Sequence, residues 1–165
     1  MKTGMIVRRA LIVIAAVTAL AACTQERQPC LQPRTAQLRA GAYRFADTGT
    51  AILDTSLPNP LLEPLGAQQG VVFYYGGPNT KLLLHLDQTA DSTRYVIQPD
   101  SANSLVDTLT IYHDRQTVFL SQACGYTIYY TIGRVAWTRN SLDSVFITNP
   151  EVNSNANVEN LRLRY

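Results

Sequence analysis

The apolar residues of this chain recur at alternate positions in short runs, and this pattern restricts its fold more than any other feature. In the run 81–86, Leu82, Leu84 and Leu86 fall on one face and Lys81 and His85 on the other, and the run 158–165 alternates cleanly between apolar and polar residues. A period of two places the apolar side chains on one face of a β-strand. After the N-terminal apolar run, no segment of ten or more residues has a three-to-four-residue apolar period. The sequence therefore predicts a nearly all-β domain.

The predicted strands are short and separated by turn residues. Eight or nine such strands in one domain fit a single antiparallel β-sandwich, of which the immunoglobulin-like arrangement is the commonest, and a small β-barrel is the alternative. The Pro-rich segment 57–64 is predicted to be a loop or an edge crossing, because prolines remove ladder donors. Ten segments are candidates for these eight or nine strands: 36–45, 50–55, 70–75, 81–86, 93–98, 105–113, 117–121, 126–139, 143–148 and 158–165.

Two local features refine this pattern. Asp114–Gln116 is predicted to form the turn of a hairpin between 105–113 and 117–121, with Leu105 on the same face as Leu109 and Ile111. In 126–139 the apolar parity changes at Gly133, and a glycine inside a strand often marks a β-bulge. One extra residue there returns the apolar side chains to the core face.

The N-terminus has the layout of a secretory signal. Lys2, Arg8 and Arg9 precede an uncharged, mostly apolar run at 10–22, which is typical of signal peptides. The run of thirteen residues is shorter than the roughly 20 residues that a transmembrane helix needs. Residues 1–22 are therefore predicted to be a targeting segment that is removed from the mature protein.

The segment ends in Leu20-Ala21-Ala22-Cys23, which resembles the lipobox of bacterial lipoproteins. The resemblance implies that the thiol of Cys23 accepts diacylglycerol and anchors the mature chain to a membrane. Residues 23–30 would then be a short tether and 31–165 the β-sandwich domain. The segment 24–28 lacks an acidic run like the surface-export signal of some lipoproteins, which favours an outer-membrane position facing the periplasm. The alternative is an ordinary signal in which Cys23 is incidental.

Removal of the signal changes the charge balance. Three of the fourteen basic residues leave with it, so that eleven remain against twelve acids. No basic patch then suggests nucleic acid as a partner. The predicted partners are the membrane, through the lipid on Cys23, and an envelope protein or a glycan.

Two cysteines remain once Cys23 is lipidated. Cys30 and Cys124 form an even pair in an oxidising compartment, which predicts a disulfide. Catalysis by Cys124 is the alternative, but the sequence shows it no partner.

Several of these features together resemble a family of Bacteroidetes envelope lipoproteins of unknown function (DUF6452-like). The resemblance is carried by the lipobox, by Cys30 with Pro33-Arg34 close behind it, by Asp107-Thr108-Leu109-Thr110 and by Ser121-Gln122-Ala123-Cys124-Gly125. It implies a lipoprotein domain and assigns no activity, catalytic residue or binding residue.

The sequence contains few groups with a chemical role. His85 and His113 could join Asp87 or Asp114 as metal ligands, since imidazole and carboxylate suit several divalent ions. The spacing of a paired ligand motif is absent, however. The sequence also lacks the Gly-x-Ser-x-Gly nucleophile elbow of hydrolases, the His-Glu-x-x-His helix of zinc enzymes and a glycine-rich loop that binds phosphate. We therefore predict no metal, no cofactor and no enzymatic activity.

The remaining candidates lie on surfaces. Tyr75, Tyr129 and Trp137 are predicted as a binding surface, with the alternative that such side chains pack over the core with polar atoms at its rim. Ser92 and Ser101 stand in Asp-Ser/Thr-x tripeptides that resemble the O-glycosylation acceptor of Bacteroidetes.

One favoured function class and two alternatives follow. A non-enzymatic structural or interaction lipoprotein predicts an exposed aromatic or apolar patch, and it is the one we favour. A glycan-binding module and an envelope enzyme are the alternatives. The enzyme predicts a cleft in which a histidine meets a carboxylate or a serine.

Overall fold

The computed structural model describes residues 29–33, 35–46, 52–66, 73–74, 77–155 and 157–165. The predicted signal peptide, Cys23 and Tyr75 lie outside the described residues. The chain divides into two compact units, Met1–Cys30 and Leu31–Tyr165, and the β fold is that of the second. The described part contains no helix long and apolar enough to cross a bilayer.

The described residues form strands joined by turns, as the alternating pattern predicts. The strands are β1 (Leu38–Phe45), β2 (Ile52–Asp54), β3 (Leu61–Leu65), β4 (Phe73–Tyr74), β5 (Lys81–Leu84), β6 (Ser92–Gln98), β7 (Asp107–Ser121), β8 (Gly125–Trp137), β9 (Ser144–Ile147), β10 (Glu151–Val152) and β11 (Leu161–Arg164).

The strands make two sheets. The first has five strands in the order β2-β1-β11-β9, with β5 also paired to β1. The second has six, in the order β10-β8-β7-β6-β3-β4. All the neighbouring strands are antiparallel except β1 and β11, which run parallel with Tyr43 opposite Arg164. The two sheets share no strand in the described part, so the domain is the predicted all-β sandwich and not the small barrel.

The core lies between the two inner faces. Alternation along β1 turns Leu38, Ala40 and Ala42 inward, and the other long strands follow the same rule. Apolar burial of this kind is the main favourable term in folding. The fully buried large side chains are Leu38, Leu57, Leu62, Leu82, Leu84, Tyr95, Ile97, Leu109, Ile111, Leu142, Leu161 and Leu163.

The predicted turn at Asp114–Gln116 is wrong. β7 continues through these residues to Ser121, and each of the three pairs with a residue of β8. The turn of the hairpin lies at 122–124, and it is followed by Gly125 with φ +73°. Three polar residues end a strand only when their backbone has no neighbouring strand to pair with. Here β8 is long enough to pair with them.

Residues 57–60 of the Pro-rich segment lie outside the strands, as predicted, whereas β3 includes Pro64. Leu61–Leu65 pairs with β6 along its whole length, with Pro64 opposite Tyr95. A strand admits proline where the nitrogen has no ladder bond to make.

The predicted bulge at Gly133 is confirmed. Tyr112 pairs with Arg134 and His113 pairs with Ile132, so Gly133 is the extra residue. Apolar residues near the strand ends depart from the alternating pattern. Leu105 is 46% exposed and precedes β7, and Tyr126 is 71% exposed near the hairpin turn.

Candidate functional site

His113 is held inside the sandwich as a structural group. It is buried, and its Nε2 lies 2.9 Å from Thr93 Oγ1. The same hydroxyl oxygen accepts the Asp87 N–H at 2.7 Å. Burial lowers the pKa of His113 below its usual range, and Arg115 lowers it further. The ring meets Tyr130 edge-on at 5.1 Å between centroids.

His85 lies in a segment that is hydrogen-bonded to the six-stranded sheet. The buried Tyr95 of β6 donates its hydroxyl to the His85 carbonyl at 2.6 Å and accepts the His85 N–H at 3.0 Å. A ring nitrogen of His85 lies 3.0 Å from Gln37 Nε2. Tyr130 adds a hydrogen bond from its hydroxyl to the Leu86 carbonyl. These contacts clamp the segment that leads from β5 toward β6.

The polar groups around the two histidines do not assemble into a metal-binding set. Within the described residues, no group of three or more His, Cys, Asp or Glu side chains could hold a metal ion. The Asp87 carboxylate accepts the hydroxyl and the N–H of Thr89, both at 2.7 Å, and these bonds lower its pKa.

The depressions of the described surface include two small ones. One, of about 200 Å³, is lined by Pro99, Asp100 and Ser141 among others. The other, of about 400 Å³, lies beside the Arg115–Asp91 ion pair, whose atoms are 2.7 Å apart. Neither is lined by a histidine.

The most distinctive surface is the outer face of the five-stranded sheet. Alternation turns every second residue of β1 and β11 away from the core, and the parallel register sets the outward residues of the two strands side by side. β9 and β2 extend the face at its two edges. We call this surface the arginine–aromatic face; its residues are Tyr43, Phe45, Ile52, Phe146, Arg162 and Arg164.

Guanidinium groups lie over the aromatic rings of this face. Arg164 Cζ is 4.1 Å from the centroid of Phe45 and 5.9 Å from that of Phe146. Arg162 Cζ is 4.9 Å from the centroid of Tyr43. Cation–π pairs of this kind contribute about 0.5–1 kcal/mol at exposed sites. Phe45 and Phe146 nevertheless remain 42% and 50% exposed.

One edge of the face is fixed by a carboxylate. Glu159 accepts the Tyr43 hydroxyl at 2.8 Å and the Arg162 Nε–H at 2.9 Å. Burial and the hydrogen bond to Glu159 raise the pKa of Tyr43 to about 12. Gly41 makes this arrangement fit, because a Cβ at that position would collide with the Glu159 carboxylate and the Tyr43 ring.

The face is positively charged. Arg39 and Lys81 lie on the same side of the sheet and add to the charge of Arg162 and Arg164, against the acids Glu159 and Asp54. The Nε atoms of Arg164 and Arg39 are buried without a hydrogen-bond partner in the described structure. A buried donor left unpaired costs free energy.

The sequence analysis missed this face, although a signal was present. Tyr43 and Phe45 alternate on one strand, and Arg162 and Arg164 alternate on another. Only the parallel pairing of β1 with β11 brings them together, because more than a hundred residues separate the two strands.

The predicted aromatic surface is divided. Tyr129 and Trp137 are half-buried and pack against the core. The Tyr129 hydroxyl lies 3.1 Å from Ser154 Oγ, and Arg139 lies over the Trp137 ring at 5.6 Å. Tyr75, the third member, lies outside the described residues.

The predicted modification sites are partly sheltered. Ser92 begins β6 and is half-buried. Ser101 is also half-buried, and its hydroxyl oxygen accepts Asn59 Nδ2 at 2.6 Å. O-glycosylation of either serine stays a prediction, which the intact mass of the native protein checks.

Cys30 and Cys124 are both disulfide-bonded. The chain has three cysteines, and a pairing of either one with Cys23 would leave the other without a partner. The two are therefore joined to each other.

The fold and this surface define a class: an all-β sandwich with a disulfide and an exposed, positively charged aromatic sheet face. Within that class, the chain belongs to a family of unknown function, DUF6452, whose model matches residues 66–165. The match includes the β7–β8 hairpin and β11, and it begins after β1, β2 and β3. No curated protein and no solved structure matches the chain.

Proposed function

We propose that the protein is a non-enzymatic interaction domain of the cell envelope. In this proposal the signal at 1–22 exports the chain, Cys23 carries the lipid, and the domain faces the periplasm from the outer membrane. The lipobox-like residues 20–23 and the pair of half-cystines support the location. The side chains that a reaction would need, above all His113, are committed to hydrogen bonds within the sandwich.

The arginine–aromatic face carries the proposal of binding. Interface centres are enriched in aromatic residues and arginine, which bury large apolar areas and also form charged hydrogen bonds. Phe45, Ile52 and Phe146 supply the apolar area, each at least 42% exposed. The guanidinium groups of Arg162 and Arg164, which lie over the aromatic rings, supply the positive charge. The proposed partner is an envelope protein that presents carboxylates beside an apolar patch, because such a surface complements both features.

Site-specific photocrosslinking in native membranes tests the binding proposal. A photoreactive residue in place of Ile52 lies on the arginine–aromatic face and should capture a reproducible partner. The same residue at Tyr112 is the matched control, because Tyr112 is also exposed and also lies under an arginine, with Arg134 Cζ 4.1 Å from its centroid. Tyr112 belongs to the other sheet and should capture no partner of that kind.

Two substitutions give the test a quantitative outcome. Phe45→Ser with Phe146→Ser should reduce capture at Ile52 by about tenfold or more, as expected for the loss of interface anchors worth over 1.4 kcal/mol. Tyr112→Ser should leave capture unchanged. Equal capture by the two variants, or no reproducible product at Ile52, would refute the proposal.

The lipid anchor is tested separately. The wild-type chain should gain the mass of a diacylglyceryl-modified cysteine and sediment with membranes. Cys23→Ala should lose both properties. Retention of the lipid by Cys23→Ala would show that the anchor is elsewhere.

A further inference from the structure

The outer end of the β7–β8 hairpin is a two-stranded ribbon. β6 pairs with β7 only as far as Tyr112, whereas β7 and β8 continue together to the pair Ser121 and Gly125. The Cys124 N–H donates to Ser121 Oγ at 3.0 Å and closes the turn. We call the part of the ribbon from Thr117 to Thr127 the hairpin tip.

The hairpin tip exposes two aromatic rings. Phe119 and Tyr126 are directly opposite each other on the two strands, and their ring centroids are 5.2 Å apart. They are 57% and 71% exposed, among the most exposed large apolar side chains of the described residues. Contiguous exposed apolar surface is typical of sites that contact a partner or a membrane.

The hairpin tip also lacks charge. The eighteen residues from Gln116 to Gly133 contain no Asp, Glu, Lys or Arg. The nearest charged side chain before them is Arg115, which bonds the Gln88 carbonyl and the Asp91 carboxylate. A surface that enters the interface of a bilayer avoids charge, because desolvation of ionised groups is costly.

The disulfide ties the N-terminal chain to this tip. Cys124 lies in the turn. Cys30 and Cys124 are both disulfide-bonded in a chain with three cysteines, so they are bonded to each other. Cys23 precedes Cys30 by seven residues. Seven extended residues reach about 25 Å at most, so a lipid on Cys23 keeps the turn within that distance of the bilayer.

We propose that the hairpin tip is seated on the lipid surface, with Phe119 and Tyr126 in the interfacial layer of the bilayer. This inference rests on the proposed lipid anchor at Cys23, and it adds the orientation of the domain. Phenylalanine and tyrosine suit this layer, since aromatic side chains bury apolar area at the headgroup level and the tyrosine hydroxyl stays hydrated. The opposite end of β7 then faces away from the membrane.

Tryptophan fluorescence in vesicles tests the orientation. The full lipidated protein carries Trp137→Phe as the background, so that Tyr126→Trp supplies the reporter. It is reconstituted into vesicles of phosphatidylethanolamine and phosphatidylglycerol with brominated acyl chains. The emission of the residue-126 reporter should shift to shorter wavelength and lose most of its intensity relative to unbrominated vesicles. Phe119→Trp provides the same reading if Tyr126→Trp fails to fold.

Leu105→Trp in the same background is the matched control. Leu105 is exposed and lies fourteen residues before Phe119, which is about 45 Å along an extended strand. Its emission should not change with bromination. Equal quenching at both ends, or no quenching at the tip, would overturn the orientation.

Vesicle flotation distinguishes the two ways in which this idea fails. If the protein floats with the vesicles but the tip reporter is not quenched, the lipid anchor stands and the seating of the tip is wrong. If the protein does not float, the lipid anchor fails, and the seating of the tip fails with it.

Discussion

At the scale of single residues, Asp107 supports more of the fold than any other polar group we describe. It begins β7 with its side chain turned inward and buried. Its carboxylate accepts the backbone N–H groups of Asn140, Ser141 and Leu142, each at 2.8 Å. It also accepts the hydroxyls of Thr138 and Ser141. Burial acts to raise the pKa of Asp107, but these hydrogen bonds outweigh it and hold the pKa below its usual range.

Asp107→Asn should therefore destabilise the domain strongly. An amide NH₂ cannot accept the N–H groups that one carboxylate oxygen receives, and unsatisfied buried donors cost about 1–3 kcal/mol each. Urea unfolding should show a loss of about 2–4 kcal/mol. Asp143→Asn, at an exposed position between the same loop and β9, is the control and should change stability by less than about 0.5 kcal/mol. A similar effect of the two substitutions would contradict the assigned role of Asp107.

His113 should make stability depend on pH near neutrality. Because its pKa is lower in the folded state, the unfolded chain takes up a proton first as the pH falls. Stability is then complete above about pH 6.5 and declines below it, by at most about 1.4 kcal/mol per pH unit, until the folded pKa is reached. Urea midpoints measured between pH 8 and pH 4.5 should show this decline in the wild type, and His113→Gln should remove most of it. An unchanged profile in the variant would exclude His113 as the cause.

Residue identity alone predicts these roles poorly. His113 and Asp107 fall at apolar positions of the alternating pattern in β7, and this inward parity could be read from the sequence. Their partners could not, because Thr93 and the segment 138–142 reach them only through the folded arrangement of neighbouring strands and loops. The arginine–aromatic face could not be predicted for the same reason, because its residues come together only through the pairing of distant strands.

At the scale of elements, the hairpin separates what a local pattern can predict from what it cannot. The bulge at Gly133 is visible in the sequence because an apolar pattern of period two changes parity there. The turn was predicted at Asp114, Arg115 and Gln116 because these residues are polar. Polarity is a weaker turn signal than a glycine, which accepts the positive φ that many turns require. The glycine with positive φ, Gly125, marks the real turn.

A proline scan checks the continuity of β7. Gln116→Pro should cost about 3 kcal/mol or more, because the proline ring and its missing N–H disrupt the ladder that pairs Gln116 with Tyr129. Gln122→Pro is the matched control, since Gln122 is exposed in the turn, where proline is well tolerated. Thermal unfolding of both variants measures the difference. A benign Gln116→Pro together with a damaging Gln122→Pro would place the turn at 114–116 after all.

At the scale of the whole molecule, the proposed functions are distributed over different parts of the fold. The arginine–aromatic face lies on the five-stranded sheet, and the hairpin tip belongs to the six-stranded sheet. If the hairpin tip rests on the bilayer, partner binding and membrane contact do not compete for the same residues. The sequence predicts the class of fold because alternation is local, but it leaves the strand order undetermined because pairing depends on distant residues.

The disulfide should stabilise the whole domain, because it closes a loop that contains most of the chain. Ninety-three residues separate Cys30 from Cys124, and closing a loop of this length is worth about 4–5 kcal/mol in the chain-entropy model. Cys124→Ala, Cys30→Ala and the double variant should therefore lose the same amount in urea unfolding of the mature chain without lipid. Reduction should lower the stability of the wild type equally and leave the double variant unchanged. Cys23→Ala is the control and should match the wild type, whereas a loss equal to that of Cys124→Ala would mean that Cys23 takes part in the bridge.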